Sequence, residues 1–233
     1  MKDNVSFSRV ITRESLQLLR DLAANNRKEW FEAHRAECRR LLQEPLEALA
    51  KSLGGFMLSI DQDLITAPRR VVSRIHRDTR FSRDKSPYKT TMWLTFKRPL
   101  ELWQDAPAWF FEMGAESWRY GMGFFSASPA TMTLLRTELA VGRPSLLAAI
   151  TSCRESGRFI LEGEQYKRPP EPAVPEELRE WGERKNVYLV CNREPDDILL
   201  GPGLAEELRS GFAQLAPLYE ELWNVRRAAG RPH

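Results

Sequence analysis

The run Thr90-Thr91-Met92-Trp93-Leu94-Thr95-Phe96 is followed closely by Ala108-Trp109-Phe110-Phe111-Glu112-Met113 and then by Trp118 to Phe125. All three are rich in β-branched and aromatic residues and bounded by proline, glycine or charge, the pattern of strands packed on a core. The connections between them are too short for the crossover that parallel pairing requires, so the three runs predict antiparallel neighbours. Working outward, Val71-Val72-Ser73-Arg74-Ile75-His76 reads as a strand leading into an irregular polar segment that ends at Pro87. Val187 to Cys191 reads as a late strand.

On either side the hydrophobic period lengthens. Thr12 is placed to cap a helix running to about Asn25, with Leu16, Leu19 and Ala23 along one face. Asn26 and Glu29 have the spacing of a capping box for a second helix carrying Trp30, Phe31, His34, Cys38, Leu41 and Leu42. Pro45 suits the first turn of a third helix, which Gly54-Gly55 is expected to end. After Pro129 two further helices follow, through Leu135 and Leu139 and then through Leu146 and Ile150. The proline-rich stretch 163–176 predicts an extended surface connection, and the chain closes in a helix from Leu204 to about Arg227, kinked at Pro217. Together these predict one α+β domain over residues 1–233, an antiparallel sheet from the central and late strands flanked by N-terminal and C-terminal helices.

With 233 residues, 42% of them hydrophobic and 29% charged, the chain has the composition of a folded globular protein and not of a disordered or collagen-like one. No uncharged apolar run is long enough to span a bilayer, so no membrane partner is expected. The opening residues MKDNVSFSRVITRESL lack the apolar core of a secretory signal. Cys38, Cys153 and Cys191 lie far apart and suit reduced thiols, which points to a cytoplasmic location. His34, His76 and His233 have no histidine partner at helical spacing, so no metal site is expected. The phosphate-binding G-x-x-x-x-G-K-S/T loop is missing, and Gly121 and Gly123 do not complete a dinucleotide fingerprint. No cofactor is selected.

Charge is distributed unevenly. Arg69, Arg70, Arg74, Arg77, Arg80, Arg83, Lys85 and Lys89 face only Asp78 and Asp84, which gives this stretch +6 in a chain whose total is +3. Like charges gathered in this way must be met by carboxylates, by water or by a bound anion. Interleaved Val71, Val72, Ile75, Phe81, Pro87 and Tyr88 hold part of the run against packed structure.

The segment Ile75-His76-Arg77-Asp78-Thr79-Arg80-Phe81-Ser82-Arg83-Asp84-Lys85-Ser86-Pro87-Tyr88-Lys89-Thr90 resembles the signature of the domain of unknown function 2461 family. The same family pattern is met at Leu22-Ala23-Ala24-Asn25-Asn26-Arg27-Lys28-Glu29-Trp30-Phe31, at Tyr120-Gly121-Met122-Gly123-Phe124-Phe125 with Pro129, Leu135 and Arg136, and at Lys167-Arg168-Pro169-Pro170. The resemblance extends over roughly Phe7 to Arg227 and departs after Pro170, where Glu171-Pro172-Ala173 replaces a glycine-aromatic turn. It implies a set of shared positions and no reaction.

Three functions are compatible with the central segment. In the first, Arg77, Arg80, Lys85 and Lys89 hold a small phosphate- or carboxylate-bearing ligand while Asp78 and Asp84 orient them. In the second, the same patch follows a nucleic-acid backbone. In the third, the charges form a structural network inside an interaction domain. Should the protein be an enzyme, His76, Asp78, Ser82, Asp84 and Tyr88 are the candidate catalytic groups. Glu183-Arg184-Lys185 matches the Glu-x-Lys of some magnesium nucleases, a three-residue pattern that chance supplies often.

Overall fold

The computed structural model describes residues 10–80 and 82–230. Expectations that touch the opening residues, Phe7, Phe81 or His233 fall outside that range.

The architecture is α+β. Five strands form one antiparallel sheet in the order β1-β2-β3-β5-β4. They are β1 (Met92–Phe96), β2 (Pro107–Met113), β3 (Trp118–Phe124), β4 (Ile160–Glu162) and β5 (Tyr188–Arg193). The three central runs are thus adjacent strands in sequence order. The chain divides into two compact units. One comprises Met1–Phe96, Phe111–Arg119 and Arg193–Arg209; the other comprises Lys97–Phe110, Tyr120–Asn192 and Ser210–His233.

In the first unit, α1 (Arg13–Ala24) opens on Thr12, whose hydroxyl accepts from the Ser15 amide at 3.3 Å while the Ser15 hydroxyl accepts from the Thr12 amide at 3.1 Å. Leu16, Leu18, Leu19 and Leu22 are buried. Next comes α2 (Lys28–Cys38), which passes through a π turn at Arg39–Gln43 directly into α3 (Glu44–Ile60). Pro45 explains the local arrangement. It has no N–H to offer the Leu41 carbonyl four residues back, and that carbonyl accepts from the buried Ser15 hydroxyl at 2.8 Å.

Two expectations for these helices are corrected. Asn26 does not cap α2, which starts after Arg27 without a side-chain cap. Its amide is taken up by the Tyr88 backbone instead. Nor do Gly54-Gly55 end α3: Leu53 and Met57 continue one buried stripe, and the helix runs on to Ile60. Packing of that stripe outweighs the cost of two helical glycines.

The expected strand Val71–His76 is also corrected. Pro68 starts a short helix, α4 (Pro68–Val71), which consumes the beginning of the run. Among the described residues the rest of the run pairs with its neighbours through isolated bridges, Val72 with Leu94 and His76 with Tyr88, and not through a continuous ladder. Pro87, lacking an N–H, contributes only its carbonyl, to Arg77 at 2.8 Å.

In the second unit, β4 pairs antiparallel with β5 in the register Ile160–Val190, Leu161–Leu189 and Glu162–Tyr188. The Tyr-Gly-Met-Gly-Phe sequence of β3 follows from packing: a Cβ at Gly121 or Gly123 would fall within 3.0 Å of the Leu189 or Tyr188 backbone. Helices α5 (Pro129–Ala140) and α6 (Pro144–Glu155) come next, with Ser128 capping the first. A one-turn helix α7 (Arg179–Gly182) precedes β5. Trp109 packs on Phe212 and Tyr219 at 5.1 and 4.8 Å between ring centres. The final helix α8 (Leu204–Ala229) begins in the first unit and continues in the second from Ser210; it contains Pro217 and buries Leu208, Leu215, Leu222 and Trp223.

Candidate functional site

The basic segment lies entirely in the first unit. Two backbone hydrogen bonds, Arg77 N–H to the Pro87 carbonyl and Lys89 N–H to the Ile75 carbonyl, both 2.8 Å, draw its ends together. They leave residues 78–86 as a tip. Inside that tip each of the two carboxylates is tied to a guanidinium, while Arg83 is exposed. Asp78 accepts from the Arg80 backbone at 3.2 Å and from its guanidinium at 3.0 and 2.7 Å. Asp84 accepts from the Ser86 amide and hydroxyl at 2.9 and 2.7 Å and from the Arg77 guanidinium. Arg77 also donates to the Ser82 hydroxyl at 3.3 Å, and Lys85 donates to the Thr79 carbonyl at 2.9 Å. The Arg80 guanidinium holds the Asp78 carboxyl down at about 2, and the Ser86 hydroxyl and amide, with Arg77, do the same for Asp84. These pairs are solvated, the Arg80 side chain being 77% exposed, so they shape the tip more than they stabilise it.

Beneath the tip is an aromatic cluster. Phe31 of α2 stacks on Tyr88 at 4.1 Å, and the His76 ring stands 5.4 Å from Phe31 and 5.2 Å from Tyr88. Asn26 fixes Tyr88 from the other side: its Nδ2 donates to the Tyr88 carbonyl at 2.8 Å and its Oδ1 accepts from the Tyr88 amide at 3.0 Å. Burial pushes the Tyr88 phenol above its ordinary value. Trp30 is half-buried and stacks on His34 at 4.0 Å.

Two adjoining cavities flank this cluster. The first, about 420 Å³, has Phe31, Ala36, Cys38 and Ile75 as its apolar lining, with Arg35 and His76 also reaching it. The second, about 340 Å³, is lined by Glu47, Arg69, Val72 and Ser73. Arg39, Gln43 and Arg74 line both, so the two form one groove. Arg35 is paired with Glu32 at 2.6 Å and Arg39 with Glu44 at 3.3 Å. Arg69 and Arg74 are exposed, and their side chains make no ion pair or hydrogen bond among the described residues. Lys89 lies 4.1 Å above the Trp93 ring, and its ammonium is shifted below its ordinary value by burial and by repulsion from Arg74.

The structure therefore brings His76 to the first cavity and leaves Arg77, Arg80, Lys85 and Lys89, with Asp78, Ser82, Asp84 and Tyr88, outside the lining of both cavities. The groove arginines that sequence reasoning did not single out carried a signal. Phe31, Arg35, Arg39 and Gln43 recur every fourth residue, a spacing that places all four on one helical face. Cys38 is not a nucleophile in waiting: burial pushes its thiol up to about 11.

The Glu-x-Lys sequence is engaged locally. Glu183 accepts from Arg179 at 2.7 Å, Arg184 donates to the Gly163 and Leu161 carbonyls at 2.7 and 3.0 Å, and Lys185 pairs with Glu164. Among the described residues no group of three or more His, Cys, Asp and Glu is placed to hold a metal ion. No helix among them is long and apolar enough to cross a membrane.

An α+β fold with a basic, carboxylate-tied tip over an aromatic cluster thus describes the class. The chain belongs to the conserved hypothetical protein family DUF2461, whose model matches residues 14–220. That span contains all four sequence elements that carry the resemblance. No curated protein matches the chain by sequence.

Proposed function

We propose that the protein binds a small anionic ligand, bearing phosphate or carboxylate, in the groove between the α2–π-turn face and residues 69–76. Arg74 and Arg69 are its principal ligands, and Arg39 and Arg35 add positive charge at the rim. One observation carries the reading: Arg69 and Arg74 line a cavity with no partner of their own among the described residues. Lys89 adds weight, because a cation already repelled by Arg74 is relieved when an anion arrives between them. Arg77, Arg80 and Lys85 are not ligands in this reading; they hold the tip in shape through Asp84, Asp78 and Thr79 respectively.

Calorimetric titration with inorganic pyrophosphate tests the proposal. A hydrogen bond to a charged group is worth about 1.5–3 kcal/mol, so Arg74→Ala should weaken binding by roughly tenfold or more. Arg80→Ala should leave it within about twofold. Undiminished affinity in a folded Arg74→Ala variant would falsify the assignment. A crystal grown in sulfate should show an ordered anion on Arg74.

The exposure of Arg69, Arg70, Arg74 and Arg83, unpaired among the described residues, favours nucleic acid as the second reading. It predicts oligonucleotide affinity that falls steeply with salt, by about 0.9 log units per tenfold salt for each phosphate neutralised. Salt-independent binding excludes it.

A further inference from the structure

The two halves of the groove differ in chemistry, and from that difference we infer that the ligand is an amphiphilic anion, with an apolar body for the first cavity and a phosphate or carboxylate head for the second. The inference rests on the anion-binding reading above and adds the class of ligand.

The first cavity is floored by Phe31, Cys38 and Ile75, each at least nine-tenths buried, and by Ala36 at its rim. Arg35, Arg39, Gln43, Arg74 and His76 also border it, but most of its accessible lining is apolar, so an apolar group that displaces water from that lining gains the ordinary hydrophobic free energy. The second cavity is the opposite. Arg39, Arg69 and Arg74 line it with Glu47 as the only carboxylate among its lining residues, and Gln43 and Ser73 add neutral polar groups. Arg39 is already paired with Glu44, so with Glu47 two carboxylates meet the three guanidiniums, and the surplus of about one positive charge, carried by Arg69 and Arg74, is what an anionic head group offsets. Arg39, Gln43 and Arg74 form the shared wall, so a single molecule can occupy both parts. Both volumes lie within the range of small-molecule sites, roughly 300–1,000 Å³.

A purely polar anion wastes the first cavity, since it leaves Phe31 and Ile75 against water. A neutral apolar molecule leaves Arg69 and Arg74 uncompensated. The two parts together therefore set the selectivity, and each can be removed separately.

The test uses n-octyl phosphate, inorganic phosphate and n-octanol as probes on the intact chain, with affinity read by calorimetry at fixed ionic strength. Octyl phosphate should bind at least tenfold more tightly than either of the other two. Arg69→Ala, which touches only the second cavity, should weaken octyl phosphate at least tenfold and leave octanol unchanged. Ala36→Trp, which fills only the first, should reduce octyl phosphate to the affinity of inorganic phosphate and leave phosphate itself unchanged; circular dichroism confirms that both variants fold. If inorganic phosphate binds as tightly as octyl phosphate, the two-part ligand is refuted while the anion site stands. If octanol matches octyl phosphate and Arg69→Ala has no effect, the anion site falls as well. Failure of octyl phosphate to bind at millimolar concentration overturns the inference, as does its displacement by a single-stranded oligonucleotide with steep salt dependence.

Discussion

Replacing Asn26 separates two roles for one side chain. In the structure its amide spans the Tyr88 backbone, donating at 2.8 Å to the carbonyl and accepting at 3.0 Å from the N–H. Asn26→Ala removes both bonds and leaves two backbone groups of a buried residue without partners. At about 1 kcal/mol net for each bond, and more where a group is stranded, the loss should come to about 2–3 kcal/mol. A capping role predicts something else. Asp and Asn are equally good N-caps, and a carboxylate is favoured at a helix N-terminus, so Asn26→Asp would then be neutral or stabilising. The tether makes the opposite demand: aspartate keeps an acceptor for the Tyr88 N–H but sets a second oxygen against the Tyr88 carbonyl. Asn26→Asp should therefore cost about 2 kcal/mol, close to alanine. Urea unfolding followed by tryptophan fluorescence measures both variants, and amide exchange at Tyr88 reports the local release. An Asn26→Asp protein within about 0.5 kcal/mol of the parent would refute the tether.

Three further outcomes are set by geometry. Gly121→Ala should abolish stable folding or cost more than about 3 kcal/mol, since its Cβ would collide with the Leu189 carbonyl; a melting temperature within a few degrees of the parent contradicts this. Ser15→Ala should cost about 1–3 kcal/mol by stranding the Leu41 carbonyl that Pro45 cannot serve, measurable by denaturant midpoint, and a neutral effect would show that carbonyl to be otherwise satisfied. Carbon-detected titration should place Asp78 and Asp84 near about 2, below the ordinary 3.8. Because both values are depressed, the order these carboxylates give the tip is present in full above about pH 4 and lost as pH falls through about 2; midpoints near 4 would show the tip to be open.

Sequence alone conveyed the sheet well where side-chain pattern and burial coincide. Met92, Leu94 and Phe96 alternate inward with Trp93 and Thr95, and the structure buries that alternation. It failed where tertiary packing overruled local signals. Gly54-Gly55 looks like a stop, yet the stripe continued by Met57 carries α3 past it. Val71 looks like a strand residue, yet Pro68 draws it into a helical turn. The three-residue β4, with Ile160 exposed, has too little hydrophobic pattern to be seen at all. For the site the difficulty was distance along the chain. The box at 75–90 announces its charge, but the pairing of Arg77 and Arg80 with Asp84 and Asp78 is local, whereas the groove takes Arg35 and Arg39 from a helical stretch far upstream of Arg74. Only their four-residue spacing from Phe31 hinted that they share a face.

The π turn at Arg39–Gln43 works as a phase adjuster between two helical rods. Each added residue advances an α-helix by about 100°, so the wide turn sets the angle at which Phe31 and Arg35 are presented relative to the core stripe of α3. Were the same residues wound as regular α-helix, Phe31 and Arg35 would turn by about 100° relative to that stripe and away from Arg74, though every groove side chain would still be encoded. In the proposed reading, ligand contact at this place would thus depend on how this turn is wound as well as on which residues line the groove.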